Sequence, residues 1–128
     1  MSDPSDVQPA AGLSAAGVLD AQALARLQEL DPEGKAGLVR RVLETYTRSL
    51  ASLLTQLATA CEAADAQGQR HVAHTLKSSS ASVGALKLSE LCADIERRLR
   101  EGALDGMDCH LDDLRAEGER VLAALRGS

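Results

Sequence analysis

Between Val39 and Cys61 the apolar residues Val39, Val42, Leu43, Tyr46, Leu50, Leu53, Leu54, Leu57 and Cys61 recur at steps of three and four. That spacing lines one face of an α-helix with a continuous stripe, which reads as core. The rest of the chain favours the same kind of element. Ala and Leu dominate, Tyr46 is the only aromatic residue and there are three prolines, so strand formers are scarce and helix formers abundant. A length of 128 residues fits one domain with one helix-packed core.

Boundaries follow from caps and turn residues. Residues 1–17 are small, polar and Pro/Gly-bearing, too poor in apolar side chains to repay ordering, and are expected to form a flexible tail. Asp20 can cap a short helix bearing Leu24, Leu27 and Leu30, and Asp31-Pro32 offers an N-cap followed by Pro at the first position of the long helix. Asp65-Ala66-Gln67-Gly68 reads as a turn, and a third helix is predicted over Gln69–Leu86. Leu88, Leu91, Cys92, Ile95 and Leu99 mark a fourth, which Gly102 can end in a left-handed conformation. A last helix, carrying Leu104, Met107, Leu111, Leu114, Val121, Leu122 and Leu125 at near-heptad spacing, is expected to follow at once. The expectation is an all-α, antiparallel up-down four-helix bundle over residues 18–128, with an additional short N-terminal helix.

Charge and motif content narrow the function. A formal charge of −5 with interleaved basic and acidic residues leaves no positive stripe for nucleic acid. The N-terminal stretch has Asp3 and Asp6 in place of a basic leader region, and no apolar run approaches the ~20 residues of a spanning helix, so a cytoplasmic, non-membrane protein is expected. Cys61, Cys92 and Cys109 fit no metal or redox spacing and are read as small core residues of a reducing compartment. His71 and His74 lie one turn apart but lack a third ligand at matching spacing, so no metal site is expected. His110 reads as a surface residue, and Arg97, Arg98 and Arg100 as cations complementing a helix C-terminus. Without a Gly-rich nucleotide loop the chain is not expected to use ATP or to be an enzyme in its own right.

The third helix carries the chemistry. On a helical wheel Val72, Leu76 and Val83 lie within about 20° of the pole opposite His74, so His74 faces solvent. Arg70, His71, Lys77, Ser78, Ala81 and Ala85 fall within about 60° of it and form the expected docking face for a partner. A neutral imidazole, with an unperturbed pKa of about 6.5, can attack phosphorus without a separate base, and Lys77 can offset charge on phosphoryl oxygens. Ser79 and Ser80 are read as small packing residues that bond back to the preceding turn.

The run His74-Thr-Leu-Lys-Ser-Ser-Ser-Ala-Ser-Val-Gly-Ala85 resembles the signature of the histidine-phosphotransfer (HPt) domain family, H-x-L-K-G-S-S-x-x-x-G-A. Leu88, Leu91, Cys92 and Glu96 resemble the continuation L-x-x-L-C-x-x-x-E, Tyr46 stands where the preceding helix usually carries an aromatic, and the similarity covers about residues 20–125. The resemblance implies that His74 is the phospho-accepting residue, that Lys77 stabilises the phosphoryl group and that Gly84 permits close helix packing. It implies a monomeric phosphorelay intermediate with no cofactor of its own. Its partners would be response-regulator receiver domains, which bring the Mg²⁺, and an upstream hybrid sensor histidine kinase. The competing expectation is a helical scaffold that binds a receiver or other partner without being phosphorylated; a histidine-bearing domain of a chemotaxis-type kinase is disfavoured by the lack of a kinase domain. Met1 and the tail favour a free-standing protein, the alternative being a piece of a larger hybrid kinase. Ser78 stands where the family has glycine, and its hydroxyl is expected to fold back onto the Thr75 or His74 carbonyl.

Overall fold

The computed structural model describes residues 19–30 and 37–127. The 1–17 tail, the Asp31-Pro32 helix start and the side chains of Leu24 and Leu27 lie outside the described residues. The chain order is α1 (Ala21–Glu29), α2 (Leu38–Glu62), α3 (Ala66–Val83), α4 (Leu86–Glu101) and α5 (Met107–Gly127), with no strand among the described residues. Each of the four long helices packs on its neighbours in sequence and α5 closes the ring against α2, which the short connections make an antiparallel up-down bundle. None of these helices is long and apolar enough to cross a membrane.

The stripe on α2 is core, as its spacing predicts: Tyr46, Leu50, Leu53, Leu54, Leu57 and Ala60 are buried, while Val39, Val42, Leu43 and Cys61 pack at its margins. They meet Val72, Leu76 and Val83 of α3, Leu88, Cys92 and Ile95 of α4, and Leu111, Leu114, Val121 and Leu122 of α5. Gly118 lets α5 approach α2, since a Cβ there would lie 2.6 Å from Leu54 Cδ2.

Several boundaries differ from the sequence reading, each for a local reason. Asp65–Gly68 is not a free turn: the Asp65 carboxylate accepts the Gly68 N–H at 3.1 Å and caps α3, which begins at Ala66. At its other end α3 stops at Val83, short of Leu86, because Gly84 adopts φ 86° and the Gly84 and Ala85 N–H groups turn back to the Ala81 and Ser80 carbonyls. Gly102 closes α4 in the same left-handed way. A loop over 103–106 then intervenes before α5, so Leu104 is 56% exposed and outside the helix that its spacing suggested. Leu30 is exposed beyond the end of α1, and Cys109 is exposed rather than core.

Asp20 caps α1 as expected, accepting the Ala23 N–H at 3.0 Å. Leu19 and Ala23 are buried, and the Asp20 N–H donates to the Gly84 carbonyl at 2.7 Å. A Cβ on Gly84 would lie 2.7 Å from Asp20 N, so this glycine serves both the helix stop and the close seat of the N-terminal segment.

The end of α2 uses the same reversal without glycine. The Asp65 N–H reaches the Ala60 carbonyl at 2.8 Å, the Ala64 N–H reaches that of Cys61, and Ala64 sits at φ 52°. A Cβ in this region costs about 1–2 kcal/mol, partly offset by the extra freedom glycine gives the unfolded chain. Ala64→Gly is therefore expected to stabilise the bundle by about 0.5–1 kcal/mol, read as a higher urea midpoint at unchanged slope.

Candidate functional site

The α3 face formed by Gln69, Val72, Ala73, Leu76, Ser80 and Val83 is buried in the bundle. One hundred degrees per residue then turns His74 outward, and its side chain is 69% exposed. It is not a free surface residue, however. Its Nδ1 lies 2.7 Å from Glu96 Oε2, a carboxylate that reaches across from α4 and is itself only 12% exposed. The other carboxylate oxygen accepts Lys77 Nζ at 2.6 Å. One glutamate thus holds the histidine and the lysine of the same helical turn.

Electrostatics decides which nitrogen is free. The hydrogen bond from Lys77 holds the Glu96 carboxyl below its ordinary range, with His74 adding to the effect and partial burial opposing it. An ionised carboxylate only accepts, so Nδ1 must donate to it. The neutral ring therefore keeps its proton on Nδ1 and its lone pair on Nε2.

Two hydroxyls and a thiol near this turn are engaged or buried. Ser79 bonds back to the Thr75 carbonyl at 3.2 Å, as anticipated. Ser80 does not bond back: it is fully buried and pairs with the Tyr46 hydroxyl at 2.8 Å, tying α3 to α2. Burial pushes the Tyr46 phenol up to about 12 and the Cys92 thiol, beneath the site, likewise up to about 12. Both stay protonated at neutral pH.

Of the other residues singled out by sequence, Arg70, His71, Ser78 and Ala81 are exposed on the His74 side of α3. Ala85 does not belong to that face. It is 1% exposed and forms the N-cap of α4, because α3 ends before it and the wheel does not extend that far. Ser78 makes no hydrogen bond to the Thr75 or His74 carbonyl; its side chain is exposed, where water can serve the hydroxyl in place of a backbone acceptor. His110 is half-buried rather than on the open surface, with Nδ1 3.9 Å from Asp94. Arg97 and Arg98 pair with Asp94 at 2.5 and 2.8 Å, a more specific anchor than the helix dipole. Among the described residues no group of three His, Cys, Asp or Glu side chains is placed to hold a metal ion.

The residue whose role sequence reasoning missed is Glu96. The signature continuation includes it, but a wheel drawn on one helix cannot show that a carboxylate 22 residues on reaches His74. A groove between α2 and α3, floored by Val42, Tyr46 and Val83 and edged by Arg41, Ser79 and Ser82, was invisible for the same reason.

A depressed carboxyl contributes stability that is present above its unfolded value, 4.5, and lost as pH falls through the lower folded value. The Glu96 side-chain carbonyl carbon should titrate with a midpoint below 4.5 by NMR, and Lys77→Met should move that midpoint upward.

Comparison with known proteins gives the family of this bundle. The Hpt domain family matches residues 41–124, a span that contains His74, Lys77 and Glu96. Among solved structures the chain is similar to histidine-containing phosphotransfer protein B (HptB) from Pseudomonas aeruginosa PAO1. The TM-score is 0.74 and the identity 29%, over 88% of this chain and 94% of that one. No curated protein matches it in sequence. With the family matching well over half of the chain and the helical bundle shared with a solved phosphotransfer protein, the chain belongs to the Hpt domain family.

Proposed function

We propose that this protein is a phosphorelay carrier in which His74 takes a phosphoryl group from the aspartyl phosphate of one receiver domain and gives it to the aspartate of another. The observation that carries this reading is the pairing of His74 Nδ1 with Glu96, which leaves Nε2 as the lone-pair nitrogen of an exposed ring. In the forward step the Nε2 lone pair attacks phosphorus, an N–P bond forms, the acyl-phosphate P–O bond breaks and its electrons leave with the aspartate carboxylate. No proton moves: Nδ1 keeps its hydrogen, and the positive charge that the ring acquires faces the Glu96 carboxylate. The reverse of this step on a second receiver discharges the carrier.

Lys77 has a part that its ion pair does not exhaust. An ammonium carries three donors, one of which serves Glu96, so two remain for phosphoryl oxygens one turn from His74. Mg²⁺ and the acidic pocket come with the receiver, and an upstream hybrid sensor kinase charges the first receiver; the relay operates in the cytoplasm. Arg70, His71, Ser78 and Ala81 form the rim that the receiver covers, and the α2–α3 groove beside Ser79 and Ser82 extends that surface toward α2.

His74→Gln should abolish labelling by a phosphorylated receiver while changing stability by no more than about 1 kcal/mol, the scale of an exposed ion pair. The wild-type label should be lost in acid and survive base, because protonation of the ring labilises an N–P bond. Full labelling of the variant, or an acid-stable phosphate, would place the acceptor on another side chain. Ser78→Leu should leave the melting profile intact and block transfer from the receiver, since the added side chain stands about 40° around the helix from His74 and one turn along. Normal transfer in that variant would move docking to another face.

A further inference from the structure

We infer that Ser89 is a positioning residue for transfer at His74: through its hydrogen bond to the Lys77 main chain it sets the register of α4 that brings Glu96 under both His74 and Lys77. The inference rests on the carrier role of His74. Ser89 Oγ donates to the Lys77 carbonyl at 2.8 Å, from α4 to α3. Lys77 is thereby held from α4 at both polar ends, its carbonyl by Ser89 and its ammonium by Glu96. Ser89, Cys92 and Glu96 stand at i, i+3 and i+7 of α4, one face of the helix, with Cys92 wholly buried between the two polar contacts.

Two further observations set this bond apart from ordinary helix chemistry. Thr47, Thr55, Thr59, Ser79 and Ser82 all turn their hydroxyls back to the carbonyl four residues earlier in their own helix. Ser89 reaches instead to another helix, and to a carbonyl whose other lone pair the α3 ladder already uses. The neighbours that bury α4 against α3, Leu88, Cys92 and Ile95, are held by contacts without direction, which tolerate small sliding. A hydrogen bond is directional and fixes the axial position. Sliding of α4 along α3 would lengthen the contacts from Glu96 to His74 Nδ1 and Lys77 Nζ, and misplacement near 1 Å is enough to cost about a hundredfold in rate.

The test compares wild type, Ser89→Ala and Ser89→Thr, the last retaining the hydroxyl. Nitrogen-15 NMR of the His74 ring reads the tautomer with no phosphate present, and single-turnover transfer from a phosphorylated receiver reads rate and half-saturation separately. Ser89→Ala should lower the Nδ1–H fraction of the neutral ring and slow saturated transfer by about tenfold. Half-saturation should stay unchanged, because Ser89 is not on the docking rim, and Ser89→Thr should restore both signals. Should Ser89→Ala unfold, Ser89→Cys, which keeps the volume and only a weak donor, takes its place in the same measurements. Unchanged ring signals, or a lower melting temperature with a wild-type transfer rate, would overturn the assignment and leave Ser89 a packing residue. Failure of the wild type to accept phosphate would instead count against His74 as the acceptor, while the tautomer measurement would still decide whether Ser89 sets the register.

Discussion

Val72, Ala73, Leu76, Ser80 and Val83 press one face of α3 into the bundle, and the exposure of everything chemical on that helix depends on their burial. Each fully buried Val or Leu side chain contributes about 1.5–3 kcal/mol, whereas an exposed or half-exposed ion pair contributes about 1 kcal/mol or less. Packing therefore sets the rotation of α3, and the ion pair with Glu96 acts within that rotation. A turn of the helix by about 100° in the sense that brings His74 to the place of Ala73 would bury the imidazole.

Within this frame the Glu96 carboxylate does more than neutralise a lysine. Ionised and paired with Lys77, it can only accept from His74, and this selects the tautomer that leaves the lone pair on Nε2, the nitrogen that would attack phosphorus in the proposed transfer. The charge that phosphorylation would place on the ring arises beside an anion already in position, so little reorganisation accompanies the step. Two helices supply the three side chains of this cluster, His74 and Lys77 from α3 and Glu96 from α4.

Much of the bundle was legible in the chain. The three-and-four spacing from Val39 to Cys61 identified the α2 core face, and Asp20 and Gly102 marked real helix ends. Errors gathered where a local signal has two meanings. Asp65-x-x-Gly68 is both a turn pattern and an N-cap pattern, and only the bond from Gly68 to the Asp65 carboxylate distinguishes them. Gly84 was recognised as a packing glycine, but its left-handed conformation also ends α3, which removed Ala85 from the docking face and buried it at the start of α4. Leu104 fits an apolar spacing yet is exposed, because a loop delays α5 until Met107, and Cys109, read as core, lies within α5 on its exposed side.

The sequence by itself determined the helical class, the outward direction of His74, its likeness to a phosphotransfer signature and the neighbourhood of Lys77. All of these follow from periodicity and from residues within a few turns of one another, which the geometry of a single helix relates. Only the tertiary structure decided what holds His74, which of its nitrogens is free and how α4 is aligned with α3. Those properties rest on Glu96 and Ser89, which meet α3 through the antiparallel packing of two helices. Their distances are set by side-chain reach and interhelical register, and neither has a periodic trace in a linear chain.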